Sequence, residues 1–282
     1  VKDNVAAFVY YSLNGVRRVV ALSRTVKMKF LLASMLAGSA AAFTPSSSFQ
    51  GNSNVAHRSA SKSSLSMETG ADLAVLGKKL NPIIGKFDPL GLAEYNFWGT
   101  TEEETIGFLR EAEVKHGRIA MFAFVGYIVH ANGITWPWPM TLAGDPFPKV
   151  SNAPEAWDAI PEAAKWQIIL FIGFLEFYNE VGNKHYMKGG KIGDFPDFDA
   201  KVIPGGALNY YDPFGWHKNR SEEDKANGLV KEINNGRAAM LGIIAFLSEA
   251  KMPGAVPALK GVIPPYAGEP MAPFDHSIFP SL

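Results

Sequence analysis

The chain has 282 residues, which is long enough for one large domain or two small ones. Lysine and arginine together number 27, as do aspartate and glutamate, so the charge balance gives no reason to expect nucleic acid as a partner. Cysteine is absent, which excludes disulfides, cysteine nucleophiles, thiolate zinc sites and cysteine-held iron–sulfur clusters. Any metal must therefore be bound through histidine, carboxylate or amide groups.

Residues 1–66 have the composition of a targeting leader. No acidic residue occurs between Asp3 and Glu68, while lysine and arginine recur throughout. Met28 opens a short basic start before the apolar run 30–42, which ends in small residues, and this is the order found in secretory signals. The stretch that follows is rich in serine, basic and free of acidic residues, which is typical of a transit peptide.

This pattern predicts three segments. Residues 1–27 are expected to be upstream or polyprotein-derived sequence, and residues 28–66 to be a bipartite leader. That leader resembles those of proteins imported into plastids bounded by extra membranes. Residues 67–282 are expected to form the folded domain. The alternative is that the whole N-terminal stretch is a disordered basic tail, and in either case residues 1–66 are left out of the predicted fold.

Three helices are predicted after the leader, at about 101–132, 161–180 and 227–250. Each contains a long apolar run, and the segments between them hold most of the proline and glycine. No segment shows a convincing alternation of apolar and polar residues, so the sequence predicts an all-α protein.

Hydropathy alone does not decide whether these helices cross a membrane. Their apolar runs are about eleven residues long, which is short for a membrane span. Longer spans would bring glutamate, lysine or arginine into the bilayer, where such charges require partners. The tryptophans, in contrast, lie at or beyond the ends of the apolar runs, as they do at membrane interfaces. Both interpretations stay open at this point.

An internal repeat links the first and third predicted helices. A Glu-x-x-His/Asn-Gly-Arg motif occurs twice at a constant offset of 119 residues, and an Asp-Pro-x-Gly turn precedes each copy. The motif residues are Glu113, His116, Gly117 and Arg118 in the first copy and Glu232, Asn235, Gly236 and Arg237 in the second. Two copies with the same flanking features are hard to obtain by chance.

Helix geometry predicts how the repeated charges are neutralised. Glu113 and Arg118 are five residues apart, so they lie about 140° apart around the helix and do not pair within it. If the two helices cross as pseudo-equivalents, Glu113 meets Arg237 and Glu232 meets Arg118. Such a pseudo-twofold pair must run in the same direction, which requires one span between them, and 161–180 supplies it.

The remaining motif residues suit magnesium in a pigment. A glutamate paired with arginine, a histidine and an asparagine are ligands for a Mg²⁺ ion that needs one further axial ligand, as it does in a chlorophyll ring. His116 lies about 60° from Glu113 around the helix. Neighbouring ligands therefore present separate pigments and do not converge on one bare ion.

On these residues the chain resembles the light-harvesting chlorophyll-binding protein family. The resemblance covers about residues 75–275 and is nearest to the chlorophyll a/c branch, of fucoxanthin or peridinin type. Besides the repeat, it depends on Phe87-Asp88-Pro-Leu-Gly, on Gln167 and Glu176 in the middle helix, and on Lys251-Met-Pro-Gly-Ala-Val-Pro.

The resemblance implies an all-α membrane protein with three transmembrane helices in the plastid thylakoid. Its cofactors would be chlorophyll a, chlorophyll c and carotenoids of the peridinin, fucoxanthin or xanthophyll-cycle types. Its partners would be a photosystem I or II core, neighbouring antenna subunits and thylakoid lipids.

The resemblance also implies roles for individual residues. Chlorophyll magnesium would be bound through Glu113, His116, Glu232 and Asn235, with Arg118 and Arg237 as partners of the glutamates. Further pigment contacts would come from polar residues elsewhere on the helices: Gln167, Glu176, Lys231 and Glu249. The carotenoid ends would lie at the two turns, at Asp88-Pro89 and at Asp212-Pro213.

Three other functions are open to a sequence of this kind. A di-iron carboxylate enzyme would use two Glu-x-x-His motifs in a helical bundle, but here the second copy has Asn235. A photoprotective relative would quench excitation with the same pigment ligands. A purely structural three-span protein would leave the buried polar residues without a role. The sequence therefore favours an antenna protein that is not an enzyme.

Overall fold

The computed structural model describes residues 8–13, 16–21, 68–95, 99–150, 152–196, 198, 214–215, 219–270 and 272. Residues 28–66 of the predicted leader and the turn residues Asp212 and Pro213 lie outside the described residues.

Within this part of the chain, five α-helices form. They are α1 (Gly70–Leu80), α2 (Glu102–Ala131), α3 (Ala153–Ala159), α4 (Glu162–Gly182) and α5 (Glu222–Lys251). Two short 3-10 helices follow α4 and α5, at Tyr186–Lys188 and Pro257–Leu259. None of the helices in the described residues combines the length and the apolar character needed to cross a membrane.

The helices α2 and α4 agree with the predictions 101–132 and 161–180 to within two residues. The helix α5 begins five residues before the predicted start at 227. Ser221 explains the earlier start, because its Oγ accepts the N–H of Asp224 at 3.1 Å and so satisfies a first-turn donor. The acidic first turn is favourable at a helix N-terminus. It contains no periodic apolar residues, so the apolar pattern did not predict it.

The helix α1 was not predicted, although its start has a clear local signal. Thr69 Oγ1 accepts the N–H of Asp72 at 3.3 Å, and the carboxylate of Asp72 accepts the N–H of Thr69 at 3.0 Å. This reciprocal pair is a capping box, which satisfies two backbone donors at the helix start.

The all-helical prediction concerned the residues after 66, and the N-terminal segment that it left out contains two strands. The strands β1 (Phe8–Leu13) and β2 (Val16–Ala21) form an antiparallel pair in which Leu13 is opposite Val16. The strand residues are mostly β-branched or aromatic, and Asn14-Gly15 between them is the dipeptide most typical of a two-residue hairpin. The signal was present in the sequence, but it fell in the segment left out of the predicted fold. All other regular elements of the described residues are helical.

The chain divides into two compact units. The crossing unit comprises the described residues of 58–124 and 162–243. The second unit comprises those of 1–57, 125–161 and 244–282. The helices α2 and α5 contribute residues to both units.

In the crossing unit, α2 and α5 approach each other closely at two glycines. A Cβ atom built on Gly117 would lie 3.1 Å from the Cα atom of Gly236, and one built on Gly236 would lie 2.9 Å from the Cα atom of Gly117. No side chain fits between backbones at that separation, so glycine is required at the crossing. Ile106, Val114 and Ile233 are buried in the same unit.

In the second unit, one fully buried amide links two segments of the chain by hydrogen bonds. Asn152 is 0% exposed, and its Oδ1 accepts the hydroxyl proton of Tyr127 at 3.1 Å. Its Nδ2 donates to the carbonyl of Pro264 at 2.8 Å. The ring of Tyr127 packs against Phe246 with centroids 5.0 Å apart. Asn152 therefore joins the end of α2 to the chain that follows α5.

Replacing Asn152 by alanine is expected to lower the free energy of unfolding by about 2 kcal/mol, because a buried hydroxyl and a carbonyl lose their partner. A denaturant titration in detergent, followed by circular dichroism, measures this change. Asn183→Ala is the matched control, since its amide makes one exposed 3.3 Å contact with Asp194 and its loss should have little effect. Equal losses in both variants would contradict this role for Asn152.

Candidate pigment-binding sites

The two repeated motifs meet through reciprocal ion pairs. Nε of Arg118 donates to Oε1 of Glu232 at 2.6 Å, and Nη2 of Arg237 lies 2.6 Å from Oε1 of Glu113. The pairs predicted from the 119-residue repeat are therefore confirmed. Both glutamates are about one-quarter exposed, so each keeps part of its carboxylate surface accessible beside an arginine.

Arg110 is a second cation beside Glu113 that sequence reasoning missed. Its Nη1 contacts Oε2 of Glu113, and its Nε donates to Oε2 of Glu68 at 3.3 Å. The guanidinium is buried, with 5% of the side chain exposed. The spacing of three residues between Arg110 and Glu113 is the signal that could have indicated this contact.

The structure presents His116 in a form suited to ligating a metal. Its Nδ1 lies 2.7 Å from the carbonyl oxygen of Ala112, and because a carbonyl only accepts, Nδ1 carries the proton. In the neutral ring the other nitrogen, Nε2, has a lone pair on an exposed side chain, which is the usual arrangement of a ligating histidine. Asn235 is also exposed on α5, at the equivalent position of the repeat.

Each reciprocal pair borders a cavity in the crossing unit. A cavity of about 510 Å³ lies beside Glu113 and Arg237 and is lined largely by apolar side chains of α1, of the segment 85–93 and of α2. A second cavity of about 730 Å³ lies beside Glu232 and Arg118 and is lined largely by charged side chains. Both volumes fall in the range of roughly 300–1,000 Å³ that cofactor sites occupy. The first cavity also has the mostly apolar lining of such sites, so the carboxylate of Glu113 at its edge fits the magnesium of a chlorophyll.

The two predicted ligands on α4 lie apart from each other. Gln167 and Glu176 are nine residues apart, which places them on roughly opposite sides of the helix. Oε2 of Glu176 accepts from Nζ of Lys115 at 2.6 Å, so this carboxylate is tied to α2 near the first motif. Gln167 is exposed. The structure therefore brings Glu176, and not Gln167, to the first motif.

The burial of Glu249 disfavours a ligand role. It is 1% exposed, whereas the side chain of Glu113 is 23% exposed. The two carboxylate oxygens of Glu249 accept the N–H groups of Gly254 and Val256, each at 2.9 Å, and so hold the turn that follows α5. Lys231 is exposed one residue before Glu232, where it can reach a pigment or lipid.

The first Asp-Pro-x-Gly turn is held by its aspartate. Oδ1 of Asp88 accepts the N–H of Leu92, and Oδ2 accepts the N–H of Ala93, both at 2.9 Å. Gly91 has a φ of 64°, which favours glycine, and Gly215 in the second turn has a φ of 71°. Asp88 borders the 510 Å³ cavity beside Glu113. The other residues of the second turn, Asp212 and Pro213, lie outside the described residues.

The hydrogen bond from Ala93 is the main reason that the pKa of Asp88 lies below its usual value. Because the folded-state pKa is the lower one, the stabilisation is complete above the unfolded-state pKa of about 3.9 and is lost as the pH falls through the folded-state value. We expect Asp88→Asn to be less stable than the wild type at pH 7, with the difference disappearing on acidification. Unfolding titrations between pH 2 and pH 7 measure it, and a difference independent of pH would contradict this assignment.

The sequence model of the family described as chlorophyll A-B binding protein matches residues 74–251, which include both motifs, the Asp88 turn and α4. The chain belongs to this family. The resemblance stated from the motifs is thereby confirmed.

Similar proteins come from the chlorophyll a/c branch of this chlorophyll-binding family. A "fucoxanthin-chlorophyll a-c binding protein, chloroplastic" from Trieres chinensis is 37% identical over 236 residues, which cover 82% of this chain and 98% of the relative. The protein F of the same name from Phaeodactylum tricornutum is 35% identical and covers 80% of this chain and 96% of its own length. Protein E from that organism is 34% identical, covering 78% and 94%.

Proposed function

We propose that the chain is a light-harvesting antenna protein that binds chlorophyll a, chlorophyll c and a fucoxanthin-type carotenoid and passes excitation energy to a photosystem. The observation that carries the proposal is the reciprocal pairing of Glu113 with Arg237 and of Glu232 with Arg118, each at the edge of a cofactor-sized cavity. This arrangement occurs in a member of a chlorophyll-binding family whose relatives are named for chlorophyll a-c and fucoxanthin.

The chain's own residues would hold the pigments as axial ligands. Glu113 and Glu232 would each offer a carboxylate oxygen that an arginine leaves accessible. His116 would offer Nε2, since Nδ1 is committed to Ala112, and Asn235 would offer its amide oxygen. The pigment supplies light absorption and excited-state chemistry, while the protein supplies ligands, spacing and dielectric surroundings. Gln167, Glu176 and Lys231 are proposed as further pigment contacts.

Three membrane spans, α2, α4 and α5, are part of the proposal. Their charges exceed what an isolated span tolerates, but the costly motif charges of α2 and α5 are paired between the helices. Large apolar side chains on α4 are exposed and would contact lipid and pigment tails: Trp166, Ile168, Leu170, Phe171, Ile172, Phe174 and Phe177. The relatives are named chloroplastic, which supports a plastid, and there the thylakoid membrane is the proposed location.

The partners follow from this role. An antenna protein delivers energy to a photosystem core, of type I or II, and packs beside other antenna subunits and thylakoid lipids. The proposal gives the chain no enzymatic step. In place of the second carboxylate that a di-iron site needs, each motif glutamate has an arginine against it.

Reconstitution tests the proposal. The full chain is refolded in detergent with an extract of chlorophylls a and c and fucoxanthin, and its fluorescence excitation spectrum is recorded. We expect bound pigment and a carotenoid contribution to chlorophyll a emission, with a high emission yield. A strongly quenched yield would favour the photoprotective alternative, and a helical protein that binds no pigment would overturn the proposal.

The matched control for this experiment is the double variant Glu113→Leu, Glu232→Leu. It removes both carboxylates and leaves the exposed apolar surface of α4 unchanged. Equal pigment binding by this variant and the wild type would show that Glu113 and Glu232 hold no pigment.

A further inference from the structure

The two copies of the repeat differ three residues before each glutamate. The offset of 119 that aligns Glu113 with Glu232 aligns Arg110 with Leu229. Both positions lie about one helical turn before their glutamate, on the same face of the helix. A cation at this position can reach the carboxylate, whereas a leucine cannot donate to it. The first copy therefore has an extra donor that the second copy lacks.

Glu113 has arginine nitrogens at both carboxylate oxygens. Nε and Nη2 of Arg237 lie 2.7 and 2.6 Å from Oε1, and Nη1 of Arg110 contacts Oε2. An ionised carboxylate has about four lone-pair directions. These contacts take three of them, so the remaining direction is the second lone pair of Oε2.

Glu232 is held by one arginine nitrogen. Nε of Arg118 donates to Oε1 at 2.6 Å, while Nη1 of Arg118 turns away and donates to the carbonyl of Gly193 at 2.7 Å. No described residue donates a hydrogen bond to Oε2 of Glu232. About three lone-pair directions therefore stay open to a ligand.

Arg110 is itself fixed in place. Its side chain is buried at 5% exposure, and Nε donates to the carboxylate of Glu68, which precedes α1. A buried arginine held between two carboxylates has little rotational freedom, since moving it would leave charges unpaired. The contact of Arg110 with Oε2 of Glu113 is thus a rigid constraint.

We infer that Arg110 is a positioning residue that leaves Glu113 one direction in which to ligate magnesium. The inference depends on the proposed function, since it concerns the pigment that Glu113 would hold. A chlorophyll held by Glu113 would then have one direction of approach to the carboxylate, whereas one held by Glu232 would have a wider range of approach. Glu113 and Glu232 thus occupy equivalent positions of the repeat but differ in the number of arginine contacts that their carboxylates accept.

Absorption and circular dichroism of the reconstituted full chain test this inference. The band of the pigment on Glu113 is the difference between the wild type and Glu113→Leu, and the band on Glu232 is obtained in the same way from Glu232→Leu. We expect Arg110→Leu to shift and broaden the Glu113 band far more than the Glu232 band, since Arg110 contacts the carboxylate of Glu113 and only lines the cavity beside Glu232. Arg110→Lys should restore much of the wild-type band, because the ammonium still donates to the carboxylate.

The reverse substitution keeps the test decisive if Arg110→Leu fails to fold. Leu229→Arg leaves Arg110 in place and puts a second arginine three residues before Glu232. We expect this variant to shift and narrow the Glu232 band alone. Unchanged bands in Arg110→Leu, or equal changes at both sites in either variant, would overturn the inference.

The failure of this inference is distinguishable from failure of the proposed function. If the wild type binds no pigment, no bands exist to assign and the proposed function is overturned. If the wild type shows both bands and they do not respond to position 110 or 229, the proposed function stands and the positioning role of Arg110 is wrong.

Discussion

Arg118→Leu is expected to lower the free energy of unfolding by about 3 kcal/mol and to release the pigment proposed at Glu232. The substitution leaves Glu232 without a partner in a partly buried position, and breaking a buried pair in this way costs about 3–5 kcal/mol. We expect the lower end of that range because both side chains keep some exposure. The lost hydrogen bond to the carbonyl of Gly193 adds to the effect.

The pseudo-equivalent variant Arg237→Leu is the matched control. Glu113 would still be paired with Arg110, so we expect a clearly smaller loss of stability than in Arg118→Leu. The double variant Arg118→Leu, Glu232→Gln removes the orphaned charge and should regain much of the stability. Denaturant titrations in detergent and pigment analysis after reconstitution give the two quantities. Refolding of Arg118→Leu with full stability and a full pigment complement would contradict the prediction.

Gly236→Val is expected to destabilise the protein by about 3 kcal/mol. Its Cβ atom would lie 2.9 Å from the Cα of Gly117 and 3.4 Å from its carbonyl carbon, and these are backbone atoms that no change of rotamer can move. The helices α2 and α5 would have to separate, and overpacking of this kind costs about 1–3 kcal/mol, sometimes more. The ion pairs on either side of the crossing would lengthen as well.

Gly126→Val is the control for this prediction. A Cβ atom on Gly126 meets nothing within 4 Å, so the same substitution adds no clash. Valine has a slightly better helix propensity than glycine, and we expect a change within about 0.5 kcal/mol. The same titration measures both variants, and similar values for the two would argue against a close crossing at Gly117 and Gly236.

The parts of the fold that the sequence predicted are those with a repeated or periodic signal. The reciprocal pairs could be predicted because the five-residue spacing keeps each glutamate from the arginine of its own motif, while the constant offset offers it the arginine of the other copy. The bounds of α2 and α4 followed from long apolar runs ended by glycine and proline. The start of α5 has only charged residues, and the strand pair β1–β2 was missed because residues 1–27 were set aside as upstream sequence.

The parts of the site that could not be predicted depend on contacts between distant residues. Glu249 resembles a late helix ligand in sequence, but its carboxylate accepts N–H groups of Gly254 and Val256, which only the folded turn brings back to it. Glu176 meets Lys115 across two helices, and no periodic pattern indicates that pair. The crossing at Gly117 and Gly236 differs from these two contacts, because the sequence does indicate it: both copies of the motif contain the glycine.

The pairing pattern also has a consequence for the order in which the protein assembles. The first copy carries its own partner for its glutamate, because Arg110 and Glu113 belong to the same helix. The second copy has no such internal partner, since Glu232 and Arg237 find their counterions on α2. The charges of Glu232 and Arg237 on α5 are therefore neutralised only when this later helix packs against α2 at the crossing.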